Sequence, residues 1–522
     1  MVNIGAQVSN RPERLEWFRD LGFGLFIHWS VDSQIGTVIS HSMVGASEDY
    51  LKRFANDLPR TFHPRKFHPD DWAALAKLAG MKYVVFTAKH HSGFCMFETA
   101  TTEFNIIRTP FARDATAEVL RAFREQGLAP GIYFSPDDFW WLYKNGKTIQ
   151  RGSPDVQPGN NPGLMAHDRA QVRELLTKHD PLDIIFFDGE AQGLRELAWE
   201  LQPNIVVTRG AIQTPEQHVP GIPLAGAWEA CLTMGTSWQY QPQNEAYKTG
   251  GQLISLLVET RAKGGNLLLN VGPKPDGELP IEQEERLREV ANWMFVNQEA
   301  IYAVRPWVVT NESDIWFTKK KSRDTLYAVV KEKERWKRGE WKEIVLRSVR
   351  ATGGTQVSVL GQNDRVLEYR LDVVPRSTWR QEADGLHIRA MHAQRLQDNS
   401  RWPNPVVLKI TGAQPALTPP RVETVRARWD AASGIATLEG NLMDMGQAPS
   451  LEVGFEYRPI TGQDVNERTE PWKPAPPARR DSPGAFSVTV RDFKPGEVYE
   501  YRAFVKHPLL TLYGADKRLT IK

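Results

Sequence analysis

Short apolar runs that each lead into a polar side chain constrain this chain more than any other feature. One of them, 183–190, places four consecutive apolar residues directly before Asp188. An uninterrupted run of this length is typical of a parallel strand whose two faces are both covered by helices. Comparable runs lead into His28, His90 and Arg209. Because an Asp after a strand is also a common helix cap, one such run alone would leave its role open.

Helical periodicity fills the intervals between these runs. Apolar spacing and end signals predict helices over 70–79, 116–126, 167–179 and 281–297. Strands that alternate with helices indicate a parallel α/β sheet. Several strands end in polar residues and no G-x-G-x-x-G follows the first strand, which favours a barrel over an open dinucleotide-binding sheet. We therefore predict an N-terminal (β/α)8-like barrel of the TIM type, with these residues at one mouth.

The sequence pattern changes after about residue 307. Helical periodicity gives way to short alternating runs such as 325–330, which predict β-sandwich structure, and the Pro-rich stretch 411–420 reads as a linker. The predicted domains are a catalytic barrel over 1–310, a β-sandwich over 311–413 and a fibronectin type III or immunoglobulin-like β-sandwich over 414–522.

Composition narrows the possible partners. Lys and Arg number 65 and Asp and Glu 63, so the net charge of +2 produces no overall field that favours nucleic acid or an anionic membrane. No apolar run reaches transmembrane length. The two cysteines, Cys95 and Cys231, form neither a disulfide framework nor a CxxC metal pair.

The first residues do not form a signal peptide, so we expect a cytoplasmic protein, or a periplasmic or secreted one if a signal was removed. The oligomeric state is left open.

Three carboxylates are candidates for acid–base chemistry. Hydrolysis of a glycosidic bond commonly uses two, one as nucleophile or base and one as proton donor. Asp188 is the first. Glu216 follows the Arg209 strand in a loop that would lean over a substrate, and partial desolvation there would raise its pKa as a general acid requires. Glu229 follows a Trp at one end of a strand, where a purely structural hydrogen bond is an equal alternative.

Histidines at the strand ends allow two interpretations. His28, His90 and Asp188 could hold zinc in a metal-dependent hydrolase. Adjacent strand residues point to opposite faces, however, so His90 and His91 would share a metal sphere only if the strand has ended. Neutral imidazoles equally suit hydrogen bonds to sugar hydroxyls, which is the interpretation we prefer, and we expect neither a metal nor another cofactor. The residues grouped with them in that interpretation are Tyr133, Glu48 and Trp29.

An ordered set of motifs extends this picture over roughly residues 10–307. The motifs lie at 24–30, 89–94, 131–136, 186–190, 214–216, 228–231, 237–240, 264–273, 275–277 and 300–302. In this order and spacing the sequence resembles family 29 of the glycoside hydrolases, the retaining α-L-fucosidases.

The resemblance implies a barrel followed by a β-sandwich and exo-acting, metal-independent removal of terminal α-L-fucose from glycans. Asp188 matches the nucleophile, which forms a covalent fucosyl ester that water then hydrolyses. Glu216 is the preferred acid/base, with Glu229 as the alternative. The predicted substrate-binding residues are His28, Trp29, Glu48, His90, His91, Tyr133, Phe186 and Arg209.

Three positions depart from the family pattern. Asp49 and Phe186 stand where the family commonly has Trp, and Ser92 stands where it has Asp. Trp140 or Trp141 could replace a lost indole. The pocket would then suit a different linkage, or a fucose-like sugar such as L-galactose. A non-catalytic carbohydrate-binding protein on the same scaffold is the other alternative.

Overall fold

The computed structural model describes residues 9–243, 245–331, 336–393, 396, 403–461 and 468–521. By its internal contacts the chain divides into two compact units. The first comprises the chain up to His218 with Ala225–Thr260 and Gly265–Ala303, and the second comprises Val219–Leu224, Arg261–Gly264 and the chain from Val304 onward. The predicted division into three domains stays a prediction.

A curled parallel sheet forms the core of the first unit. Within the described residues its strands follow the order β5-β4-β3-β2-β1-β7-β6. They are β1 (Phe23–Ile27), β2 (Tyr83–Lys89), β3 (Gly131–Phe134), β4 (Ile184–Phe187), β5 (Val206–Val207), β6 (Glu229–Thr233) and β7 (Asn266–Val271). Every residue of these strands is buried, because helices cover the outside and side chains fill the inside. The predicted barrel is confirmed.

An irregular extended segment stands in the gap between the two ends of this sheet. Residues 213–217 pair in parallel with β6 through Gln213↔Trp228 and Glu216↔Cys231. The Cys231 N–H donates to the Pro215 carbonyl at 2.9 Å, and the Gln217 N–H donates to the Cys231 carbonyl at 3.0 Å. Glu216 was expected on a loop above the substrate. It is instead held against the barrel sheet itself.

Ten helices are described in the first unit and at its boundary. They are α1 (Pro12–Leu21), α2 (Glu48–Asn56), α3 (Leu58–Thr61), α4 (Pro69–Leu78), α5 (Ala115–Glu125), α6 (Phe139–Lys144), α7 (Pro162–Thr177), α8 (Leu194–Leu201), α9 (Gly250–Ala262) and α10 (Ile281–Asn297). The predicted helices are confirmed, but α7 begins five residues before the predicted start at 167. The Asn161 side chain accepts a hydrogen bond from the Leu164 N–H at 3.3 Å, and Pro162 occupies the first helical position, so the helix starts there.

The second unit contains two β-sandwiches, as predicted. The first packs the sheet β12-β15-β10-β9-β8 against the sheet β11-β14-β13. Its strands are β8 (Val304–Glu312), β9 (Ile315–Lys320), β10 (Thr325–Val330), β11 (Trp341–Leu346), β12 (Val349–Val359), β13 (Thr378–Glu382), β14 (Gly385–Met391) and β15 (Val406–Pro415). The predicted linker 411–420 was wrong in its first half, because β15 continues to Pro415 through pairs such as Thr325↔Thr411 and Val349↔Pro415.

The second sandwich packs the sheet β16-β17-β22 against a larger sheet centred on β18 and β23. Its strands are β16 (Arg421–Asp430), β17 (Ile435–Asp444), β18 (Leu451–Thr461), β19 (Arg468–Thr469), β20 (Lys473–Pro474), β21 (Ala478–Arg480), β22 (Gly484–Val490), β23 (Val498–Lys506), β24 (Thr511–Tyr513) and β25 (Lys517–Thr520). Among the residues described, no helix combines the length and the apolar character that crossing a bilayer requires.

Glu229 lies at the amino-terminal end of the barrel interior. It is the first residue of β6 and pairs with Asn266, the first residue of β7. Its side chain is fully buried and accepts a 2.5 Å hydrogen bond from the hydroxyl of Tyr83, the first residue of β2. Burial raises the pKa of Glu229 to about 7, although the Tyr83 hydrogen bond and the Arg209 charge oppose the shift. Asp188 follows the carboxyl-terminal end of β4, at the opposite mouth.

We expect the Glu229→Gln variant to alter the pH dependence of stability. The folded-state pKa of Glu229 is raised from 4.5 to about 7, so its stabilising contribution is complete below pH 4.5 and is lost as the pH rises through 7. As the pH rises from 4.5 through 7, the free energy of unfolding of the wild type should fall by up to about 3 kcal/mol more than that of the variant. Thermal unfolding at pH 4.5 and pH 7.5 measures the difference. The exposed Glu200→Gln is the matched control, and parallel pH profiles for wild type and Glu229→Gln would contradict the assignment.

Candidate active site

A small pocket opens at the carboxyl-terminal mouth of the barrel. Its volume is about 160 Å³, which is below the roughly 300–1,000 Å³ of clefts for drug-sized ligands and suits a single sugar ring. Seven of the residues that line it were predicted as site residues from the sequence, and three more lie in the motifs given above. The described lining residues are Phe26, His28, Ser40, His90, Tyr133, Arg151, Phe186, Asp188, Arg209, Glu216, Cys231 and Trp238.

Asp188 is held at the pocket floor by donors to both carboxylate oxygens. The Tyr133 hydroxyl donates to Oδ2 at 2.8 Å, and the Arg209 guanidinium donates to Oδ1 at 2.9 Å. His91 Nε2 lies 3.5 Å from Oδ2. The side chain remains 20% exposed and therefore accessible from the pocket.

The surroundings of Asp188 keep it ionised. Burial alone would raise its pKa, but His91, the Arg209 charge and the hydrogen bonds from Tyr133 and Arg209 hold the pKa of Asp188 well below its usual range. Burial and the neighbouring carboxylate raise the pKa of Tyr133, so the phenol keeps its proton and remains a donor. The site therefore presents an oriented carboxylate at neutral pH.

Arg209 connects the two carboxylates of the pocket. Its NH1 nitrogen lies 2.9 Å from Asp188 Oδ1 and 2.9 Å from Glu216 Oε2. Its Nε donates to the Thr214 hydroxyl at 2.9 Å, and its NH2 donates to the Thr214 carbonyl at 3.2 Å. The guanidinium also lies over the Phe186 ring, 4.7 Å from its centroid. These contacts fix the guanidinium from several sides, so both carboxylates are positioned by one rigid group.

Aromatic and imidazole rings form the rest of the pocket wall. His90 stacks on Tyr133 with centroids 4.9 Å apart, and Trp238 lies 4.8 Å from the His28 ring. Asn270 Oδ1 fixes His28 through a 2.6 Å contact with Nδ1. Burial lowers the pKa of His28 to about 4 and that of His90 well below its usual value. Both imidazoles are therefore neutral near pH 7 and suited to hydrogen bonds with hydroxyls.

His91 and His90 both approach Asp188 because β2 ends at Lys89, so the alternation of strand residues no longer applies to them. Among the described residues, donor atoms of His90, His91 and Asp188 all lie within 4.8 Å of one another, which a metal ion would require. His90 Nδ1 already accepts the backbone N–H of His91 at 2.9 Å. Both oxygens of Asp188 also accept hydrogen bonds from protein donors. A metal ion would have to compete with these hydrogen bonds, so the cluster is poorly suited to bind one.

A buried ion cluster supports the segment that carries these histidines. Lys89 Nζ is fully buried, 2.9 Å from Asp168 and 3.3 Å from Asp138. Asp138 Oδ1 also caps α6 by accepting the Trp141 N–H at 2.8 Å. The Phe139 N–H of the same helix donates to the His91 carbonyl at 2.8 Å. The cluster thereby links the ends of β2 and β3 behind the pocket.

Two predicted substrate-binding residues are not brought to the pocket. Glu48 begins α2, where its side chain is 69% exposed and pairs with Lys52 at 2.6 Å. Trp29 is fully buried and stacks on Phe67, and its Nε1 donates to the Lys274 carbonyl at 3.1 Å. Trp29 therefore serves the core. Glu229, the alternative acid/base, also lies away from the lining, at the far end of the barrel.

Sequence reasoning did not predict five of the lining residues, Phe26, Ser40, Arg151, Cys231 and Trp238, or the supporting residue Asn270. Trp238 belongs to the motif at 237–240 and lines the pocket, where Trp140 or Trp141 was expected instead. Neither Trp140 nor Trp141 is among the described lining residues. Asn270 lies in the motif at 264–273, one residue before the end of β7, which was the signal available for it. Ser40 and Arg151 lie in irregular segments that carry no strand-end signal, so only the structure finds them.

A larger groove of about 1080 Å³ lies between α4, α10 and the segment 240–247. Two of its carboxylates are already paired, Glu278 with Lys274 at 2.7 Å and Glu284 with Arg288. None of the predicted site residues lines it. The smaller pocket therefore holds the candidate chemistry.

Comparisons with known proteins identify the family of this chain. The family described as Alpha-L-fucosidase matches residues 6–299. The plasma alpha-L-fucosidase of Rattus norvegicus is 30% identical over 357 residues, which cover 60% of this chain and 76% of that protein. The alpha-L-fucosidase of Dictyostelium discoideum is 29% identical over 377 residues, covering 62% and 79%.

Solved structures give the same result. Alpha-L-fucosidase isoenzyme 1 from Paenibacillus thiaminolyticus is 27% identical with a TM-score of 0.60, covering 76% of this chain and 98% of that one. A Thermotoga maritima alpha-fucosidase in complex with fucose is 27% identical with a TM-score of 0.58, covering 76% and 96%. The family match spans more than half of the chain and falls on the barrel that carries the pocket. The chain therefore belongs to the α-L-fucosidase family, family 29 of the glycoside hydrolases.

Proposed function

We propose that Asp188 and Glu216 carry out the retaining hydrolysis of terminal α-L-fucosides, with Asp188 as nucleophile and Glu216 as acid/base. The observation that carries this proposal is the shared Arg209 nitrogen. Because each carboxylate oxygen lies 2.9 Å from it, the two oxygens are at most twice that distance apart, or 5.8 Å. Retaining glycosidases place their carboxyl groups about 5–5.5 Å apart, whereas inverting enzymes need about 6.5–9.5 Å to admit a water.

In the first step Asp188 attacks the anomeric carbon, and Glu216 transfers its proton to the leaving oxygen. A glycosyl ester with Asp188 forms as the glycosidic bond breaks. Tyr133 and Arg209 hold the carboxylate in one orientation, which reduces the entropy lost on reaching the transition state. Glu216 is 43% exposed and lies at the pocket rim, where a leaving group departs.

In the second step Glu216 takes a proton from water, which attacks the anomeric carbon and releases Asp188. The same donors that hold the pKa of Asp188 below its usual range also stabilise it as a leaving carboxylate. Two inversions at one carbon give net retention. No step of this scheme requires a metal.

The closed pocket supports removal of one terminal sugar at a time from a fucosylated glycan. Its volume of about 160 Å³ suits one ring. His28 and His90 offer neutral imidazoles to sugar hydroxyls, and Trp238 offers a flat apolar surface to a sugar face. A binding protein without catalysis would have no need for two carboxylates bridged at this spacing.

We expect Asp188→Asn to lose at least about 10³-fold in kcat on 4-nitrophenyl α-L-fucoside, since no nucleophile remains. EDTA should leave the wild-type rate unchanged. Release of 4-nitrophenol measures both, with the exposed Asp180→Asn as matched control. Wild-type activity that EDTA abolishes would favour the metal-dependent alternative, and an active Asp188→Asn would exclude Asp188 as nucleophile.

Glu216→Ala should lose about 10²–10⁴-fold on fucosides with poor leaving groups and far less on activated aryl fucosides, because only the former need protonation. Azide should restore turnover of the aryl substrate and yield α-L-fucosyl azide, as attack on the glycosyl ester retains configuration. Glu229→Ala is the comparison variant. Azide rescue of Glu229→Ala but not of Glu216→Ala would transfer the acid/base role to Glu229.

A further inference from the structure

Arg151 enters the pocket on a segment that is anchored next to Asp188. The segment joins α6 to α7 over residues 145–161. The Gly159 N–H donates to Glu190 Oε2 at 3.0 Å, and Glu190 lies two residues after Asp188. Within the segment, Lys147 pairs with Asp155 at 3.0 Å. These contacts tie the position of Arg151 to the strand end that carries the nucleophile.

The Arg151 guanidinium has spare hydrogen-bonding capacity, unlike that of Arg209. Among the described residues, its one ion-pair partner is Asp137, whose Oδ2 lies 3.6 Å from Nε. Burial raises the pKa of Asp137 to about 7, although the Arg151 charge opposes the shift, so Asp137 neutralises Arg151 only in part near neutral pH. The Arg151 side chain is 38% exposed, which places it at the pocket rim.

A neutral fucose ring does not account for this cation. A guanidinium presents five N–H donors in a planar fork and no acceptor. Neighbouring sugar hydroxyls can each accept one hydrogen bond from this fork, whereas one oxyanion accepts two parallel bonds and also balances the positive charge. The sixth carbon of fucose is a methyl group, so an anionic substituent on the ring must be an ester of a hydroxyl.

We propose that Arg151 is a specificity-determining residue that binds a sulfate monoester on the fucose ring. The inference rests on the proposed fucosidase function and defines its substrate class further. A sulfate carries one negative charge and matches the one partly neutralised guanidinium, while a phosphate monoester carries about 1.5–2 charges near pH 7. Ser40, also in the lining, adds a hydroxyl to the same pocket.

The test compares 4-nitrophenyl α-L-fucoside with its 2-, 3- and 4-O-sulfates in wild type and Arg151→Met. At least one sulfate should be hydrolysed by wild type with kcat/KM no lower than that of the neutral substrate. Arg151→Met should lose about 10–100-fold on that sulfate, mainly through KM, because charge-assisted hydrogen bonds contribute about 1.5–3 kcal/mol. Its loss on the neutral fucoside should be much smaller. Arg151→Lys should recover part of the difference.

Lys144→Met is the control for net charge, because Lys144 is an exposed residue at the end of α6, outside the pocket lining, and should leave the sulfate preference unchanged. Calorimetric binding of free L-fucose and its sulfates gives a readout that does not depend on hydrolysis. Wild type should bind one sulfate more tightly than fucose, and Arg151→Met should lose that difference. Rejection of all three sulfates by wild type, or equal losses of Arg151→Met on both substrate classes, would overturn the proposal. Failure to hydrolyse any fucoside, with sulfate binding intact, would instead contradict the proposed function.

Discussion

The hydrogen bonds from one Arg209 nitrogen to Asp188 and Glu216 are the interaction on which the site depends. They bring one oxygen of each carboxyl group within 5.8 Å of the other and place both against one cation. Without that cation, the two carboxyl groups would repel each other whenever both are ionised. Thr214 and the ring of Phe186 fix the guanidinium in turn. The spacing that the proposed retaining mechanism requires is therefore present before a substrate arrives.

The barrel makes this arrangement possible because its strand ends converge. Asp188 follows β4, His90 and His91 follow β2, and Glu216 lies in the extended segment paired with β6. The buried Lys89 cluster connects the end of β2 to the segment that follows β3. Burying an ion cluster costs desolvation energy that an apolar core would avoid. In this fold that cost lies next to the histidine segment that contacts Asp188, where the proposed reaction would benefit from fixed geometry.

Sequence reasoning predicted the barrel, both sandwiches and most of the pocket, because buried strands and the residues at their ends have a strong local pattern. It misplaced residues whose positions depend on tertiary packing. Glu48 begins an exposed helix, Trp29 fills the core, and Glu229 stands at the opposite end of the barrel. Arg151 was missed for the same reason, since its place follows from the contact between Gly159 and Glu190 rather than from any local pattern.

The central claim is that Asp188 forms a covalent bond with the sugar. Incubation with 2-fluoro-α-L-fucosyl fluoride, in which the fluorine slows hydrolysis of the ester, followed by peptide mass spectrometry, tests it most directly. The account predicts one fluorofucosyl adduct, located on Asp188, and no such adduct in Asp188→Asn. An adduct on Glu216 or Glu229, or turnover of the reagent by an enzyme that never carries an adduct, would contradict it.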